Sequence, residues 1–99
     1  MMSKFNELIN GDKPVLVDFY ATWCSPCKLL APNLVAAKEE LGDKVSIVKI
    51  DVDANQEAAA VYQVRSVPTL LLFKNGKVLW RQSGVVAAEE IVSIIKQKM

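Results

Sequence analysis

The chain has no histidine and only two cysteines among its 99 residues. A structural zinc ion usually takes four Cys or His ligands, so one copy of this chain cannot complete such a site. Charge of one sign is lacking too: 12 Lys and Arg stand against 11 Asp and Glu, a formal net charge of +1. The charges are interspersed rather than blocked, which argues against a nucleic-acid or membrane partner. Long apolar runs are missing as well. Met1-Met2-Ser3-Lys4-Phe5-Asn6-Glu7 does not read as a signal peptide, and no segment approaches the length of a membrane span. There is no repeat and no low-complexity segment. What is present is enough for one domain, 1–99, with 52% hydrophobic residues to fill a compact core. Two cysteines in an untargeted chain point to a reducing, cytoplasmic setting, where a paired Cys-x-x-Cys is more often catalytic than structural.

Both cysteines fall in Trp23-Cys24-Ser25-Pro26-Cys27-Lys28. An apolar stretch, Val15 to Tyr20, runs into this segment, and a helical pattern, Cys27 to Leu41, runs out of it. Cys24 therefore falls at a strand-to-helix junction, at or just before the first helical turn. Free backbone N–H groups and the positive end of the helix dipole favour a negative sulfur there. The thiolate is the reactive form of cysteine. Pro26 suits a first turn, where its missing N–H is not needed. Cys27 lies one turn further in, within reach of a mixed disulfide formed at Cys24. Two ordinary buried thiols are the plainer reading, but they leave the Trp, Pro and Lys around them unexplained. An iron–sulfur cluster shared by two copies of the chain is a third.

In order, Ser3 is placed to cap a short helix with Phe5, Leu8 and Ile9 on one face, stopped by Asn10-Gly11. Asp12-Lys13-Pro14 links it to a strand, Val15 to Tyr20, that is apolar apart from Asp18, as expected of a strand covered on both faces. Leu30, Leu34, Ala37 and Leu41 mark the buried stripe of the next helix, which Pro32 should kink and Gly42 should end. Val45 to Ile50 reads as a second strand. Asp53 or Asn55 caps a helix reaching Tyr62, and Val64 to Pro68 is a loop. Thr69 to Phe73 is a third strand. Asn75-Gly76 predicts a hairpin to a fourth, Lys77 to Gln82. Trp80 reads as core filling. A last helix carries Ile91, Ile94 and Ile95 on one face and Lys96 and Lys98 near its end. Right-handed crossovers make the first two strands parallel neighbours with helices on both faces of the sheet. The result is an α/β fold with a mixed four-stranded sheet in order 2-1-3-4, the third strand antiparallel to the first. The Cys24 junction lies at the carboxyl end of the first strand, where open α/β sheets place their sites.

With these elements in place, the sequence resembles the thioredoxin family over nearly its whole length from Phe5 on. The resemblance rests on Val17-Asp18-Phe19-Tyr20-Ala21, Trp23-Cys24-Ser25-Pro26-Cys27-Lys28 and Val67-Pro68-Thr69-Leu70-Leu71-Leu72-Phe73, with Pro32 and Gly84 also matching. It implies a thiol–disulfide oxidoreductase, an electron carrier in cell redox homeostasis. Cys24 is then the nucleophile, Cys27 the resolving thiol and Asp18 a buried carboxylate that accepts a proton, with Lys49 near it. Pro68 is a cis-proline beside the disulfide, and Val67 presents its backbone to the substrate. Trp23, Pro26, Gly84 and Val85 contribute to a flat apolar docking surface. The partners implied are proteins with disulfides and an NADPH-dependent flavoprotein, thioredoxin reductase. No metal and no bound cofactor are required. The alternative is a binding subunit of the same fold that does not turn over.

Two departures from the family stand out. Ser25 occupies a position where most thioredoxins have glycine, and the pair between the cysteines tunes the redox potential. Only Met1 and Met2 precede Ser3, so the strand that usually precedes the first helix is not expected here, and Val45 to Ile50 is expected to be a sheet edge. Asp43, Lys44, Lys49 and Asp51 put charges in and beside that edge, a common guard against strand pairing between molecules, so the expectation is a monomer. Asp18 has a physical argument of its own. A carboxylate in so apolar a strand is costly to leave charged and unpaired, so its pKa should rise.

Overall fold

The computed structural model describes residues 2–99. Its elements are α1 (Met2–Ile9), β1 (Val15–Tyr20), α2 (Ser25–Leu41), a 3-10 turn (Gly42–Lys44), β2 (Ser46–Asp51), α3 (Gln56–Val61), β3 (Thr69–Lys74), β4 (Lys77–Ser83) and α4 (Ala88–Lys98). The sheet order is β2-β1-β3-β4. β1 runs parallel to β2 and antiparallel to β3, and β3 pairs antiparallel with β4. This is the arrangement that the sequence predicts.

The central strands β1 and β3 are buried over five of their six positions each, because helices cover both faces. Side chains alternate across a strand. Leu16, Leu70 and Leu72 therefore join α2 and α4 residues Leu30, Leu34, Ala37, Ile91 and Ile95 in one core. Val15, Val17, Phe19, Leu71 and Phe73 join Phe5, Ile9 and Ala58 in the other. α1 is held to the second core by aromatic packing. Phe5 lies between 5.5 and 6.0 Å, centroid to centroid, from the rings of Phe19, Tyr62 and Phe73. Trp80 packs against the first core, half-buried, as expected.

Boundaries shift where a hydrogen-bonding group has a better use than its sequence position implies. α1 already includes Met2, so Ser3 is inside the helix and does not cap it. α2 starts at Ser25, two residues before the apolar pattern, because the side chain of Cys24 itself serves as its N-cap. It continues unbroken through Pro32. α3 has Asn55 at its N-cap position, but that amide donates to Asp51 O instead of capping the helix. Asp53 does not cap it either. β2 begins and ends one residue later than predicted, and β3 and β4 each extend by one residue. The hairpin turn has positive φ at both Asn75 (53°) and Gly76 (77°), as a type I′ turn requires. Its N–H groups reach across to the end of α1 and the loop after it: Gly76 donates to Ile9 O and Asn75 to Gly11 O. The turn thereby satisfies the last carbonyl of α1.

Candidate active site

Cys24 and Cys27 form a disulfide at the amino end of α2, with Cα atoms 5.3 Å apart. Cys24 is extended at the N-cap, and the Cys27 backbone N–H donates to Cys24 Sγ at 3.1 Å. The Cys24 N–H in turn donates to Ala21 O at 3.3 Å, which closes the turn between β1 and α2. One sulfur thus occupies the place of a capping oxygen. An N–H aimed at sulfur at a helix start stabilises negative charge on it once the disulfide is reduced. Both cysteines are nearly buried, at 3% and 5% exposed, among Ala21, Tyr20, Val52 and Val67. Ser25 and Pro26 between them are exposed, with Pro26 in the first turn.

Alternation along β1 sends Asp18 to the same face as Leu16, the face that α2 covers. Asp18 is fully buried, and neither of its oxygens has a hydrogen-bond partner. Burial pushes its carboxyl from 3.8 up to about 6, and the charge of Lys49 pulls partly the other way. Lys49 is its register neighbour in β2. The Lys49 ammonium lies over the Tyr20 ring, 4.6 Å from its centroid. A concavity of about 340 Å³ has Cys27, Ala31, Tyr20 and Lys49 in its walls, so the second cysteine and the lysine share one space.

The predicted docking residues fall into two groups. Trp23 is 69% exposed, and its indole N–H donates to Asp53 Oδ2 at 2.9 Å. It lines a concavity of about 180 Å³ with Val52, Val64, Arg65, Ser66 and Val67. The Val67–Pro68 peptide is cis. Gly84 has φ of 95°, a region that favours glycine, and its N–H donates to Pro68 O at 2.9 Å. That bond places Gly84 and the exposed Val85 beside Pro68. Asn33 of α2 donates to Val86 O at 2.9 Å and fixes the same segment from the other side.

A family model described as Thioredoxin matches residues 1–97. The chain belongs to the thioredoxin family. It is 47% identical over 90 residues to the thioredoxin of Haemophilus influenzae, across 91% of this chain and 84% of that one. It is 44% identical over 98 residues to thioredoxin Y, chloroplastic, of Oryza sativa subsp. japonica, across 98% of this chain. The chain spans 58% of the length of that rice relative. Among solved structures, the oxidized form of mitochondrial thioredoxin 3 from Saccharomyces cerevisiae superposes with a TM-score of 0.86 at 33% identity, covering 97% of this chain and 89% of that one.

Beside this thioredoxin fold, two partners in the site region have no signal in the local sequence. Asp53 stands 30 residues from Trp23, in a position that reads locally as a helix cap. Asn33 stands 53 residues from Val86 on an exposed-looking helix position. No local pattern links either pair. Only the packing of β2 and α2 against the site brings them together. Among the described residues, no helix is long and apolar enough to cross a membrane.

Proposed function

We propose that residues 1–99 act as one thioredoxin domain that reduces disulfides in other proteins. The observation that carries this reading is the Cys24–Cys27 pair at the start of α2, with the Cys27 N–H on Cys24 Sγ. In the reduced protein Cys24 attacks one sulfur of a substrate disulfide. A mixed disulfide forms and the other substrate sulfur leaves as thiolate. Cys27 gives up its proton, with Asp18 as the acceptor, and attacks Cys24 Sγ. The Cys24–Cys27 disulfide forms, the second substrate thiolate leaves, and two electrons have moved to the substrate. A carboxyl raised to about 6 is mostly ionised at pH 7 yet basic enough to take a proton from a thiol. Lys49 moderates that shift.

Trp23, Pro26, Val67, Pro68, Gly84 and Val85 form the docking surface, with Ser25 between the thiols setting the potential. The partners are proteins with accessible disulfides and an NADPH-dependent flavoprotein, thioredoxin reductase, which returns the disulfide to dithiol. The protein itself works without metal or bound cofactor, as a cytoplasmic monomer. Reduction of insulin disulfides with dithiothreitol as electron donor tests the reading. Turnover is expected from the wild type and none from Cys24→Ser. A wild type that binds disulfide proteins without accelerating their reduction would instead make the chain a binding subunit.

A further inference from the structure

The segment that lines the docking concavity begins at an unusual helix end. Val64 N–H donates to Ala59 O at 2.8 Å and Gln63 N–H to Ala60 O at 3.1 Å, the two bonds of a Schellman turn. Such a turn needs a left-handed residue after the helix, most often glycine. Here that residue is Gln63, at φ 54°. Further along, the consecutive carbonyls of Tyr62 and Gln63 both accept from one side chain. Arg81 of β4 donates Nη1 to Tyr62 O and Nη2 to Gln63 O, the latter at 2.6 Å. A guanidinium presents its donors in a fixed planar fork, so two bonds to consecutive carbonyls fix orientation as well as distance. The far end of the same segment is held by Thr69, whose hydroxyl donates to Ser66 O at 2.8 Å and lies 2.9 Å from Ser83 Oγ. The segment Val64 to Val67 is thus bracketed at both ends by side chains of the β3–β4 hairpin. Thr69 is fully buried within the sheet, whereas Arg81 is an exposed residue whose fork, among the described residues, bonds only this helix end.

We propose that Arg81 is a positioning residue for substrate docking: its fork on Tyr62 O and Gln63 O holds the left-handed turn, and so the placement of Val64, Arg65 and Val67 against Trp23. It touches no reacting atom. The proposal rests on the docking role given above to the surface around Val67. Losing about one net hydrogen bond of ordering weakens docking about fivefold. Arg81→Met keeps the apolar stem and removes every donor, and Arg81→Lys restores a single charged donor. The expected result is an insulin KM raised about fivefold in Arg81→Met, with kcat within about twofold of the wild type. The rate with a small aromatic disulfide, which needs no docking surface, stays unchanged. Arg81→Lys recovers part of the KM. An unchanged KM overturns the proposal, and so does an equal loss on insulin and on the small disulfide. Amide hydrogen exchange gives a readout without turnover. Gln63 and Val64, whose N–H groups make the two bonds of the turn, are expected to exchange about fivefold faster in Arg81→Met, with the core strands unaltered. Unchanged protection at these amides refutes the clamp. Should the wild type fail to reduce insulin, the activity reading fails while the exchange measurement still decides whether Arg81 holds the turn.

Discussion

Asp18→Asn converts the buried carboxyl into a neutral group of the same shape and tests the electrostatics of the site. In the wild type the carboxyl is raised from 3.8 to about 6 by burial, with Lys49 opposing. At 1.36 kcal/mol per unit, the shift corresponds to about 3 kcal/mol, undiluted by solvent because the side chain has no exposed surface. The sign follows from proton binding. Well below pH 3.8 the group is neutral in the folded and the unfolded chain, and it adds no pH dependence. Between about 4 and about 6 the unfolded chain loses the proton while the folded chain keeps it, so stability falls as pH rises. Above about 6 the full penalty of a charged, unpartnered carboxylate is present. The asparagine has no proton to lose. The stability difference between Asp18→Asn and wild type should therefore grow by about 3 kcal/mol across this range and then level off. The other carboxylates titrate in both proteins and cancel. Urea unfolding of the disulfide form, from pH 3.5 to 8, measures the difference without thiol titration. A gain of this size moves the urea midpoint by about 1–3 M. A difference that stays constant with pH would refute the raised carboxyl and, with it, the case for Asp18 as proton acceptor.

The other predictions use the same site. Lys49→Met removes the charge that lowers the Asp18 carboxyl, so the midpoint of that difference curve should move to higher pH; an unmoved midpoint means that Lys49 does not act on it. In the reduced protein, iodoacetamide should alkylate Cys24 with a midpoint below that of an ordinary cysteine, because the Cys27 N–H and the helix start favour the thiolate. An ordinary midpoint would show that the helix does not activate it. Cys27→Ser should accumulate mixed disulfides with substrates, seen on non-reducing gels, while the double serine variant accumulates none. β2 is a sheet edge among the described residues, guarded by Lys49 and Asp51, so light scattering should report a monomer at micromolar concentration and more association for Lys49→Val.

Local pattern determined the elements and the position of the chemistry. The run Val15 to Tyr20 reads as a buried strand because it lies at the centre of the sheet, and Asn75-Gly76 adopts the positive φ values that its hairpin demands. Two cysteines one helical turn apart can only sit at the start of α2 once that strand and that helix are recognised. The interruption of β1 by Asp18 already marked a carboxylate out of place, since an ionised group in an apolar strand has to be compensated or neutralised. What the sequence misplaced were caps and bonds between distant segments. Ser3 and Asp53 have the chemistry of helix caps, but propensity cannot say whether a better partner waits elsewhere in the fold. For Asp53 that partner is the Trp23 indole, 30 residues away. The grip of Arg81 on Tyr62 and Gln63 exists only because β4 returns beside β3 in register, with Arg81 opposite Leu71. A strand pattern specifies which face a residue takes. The tertiary fold decides which orphaned carbonyl it meets there, because hydrogen bonds between segments follow spatial position, which local sequence does not carry.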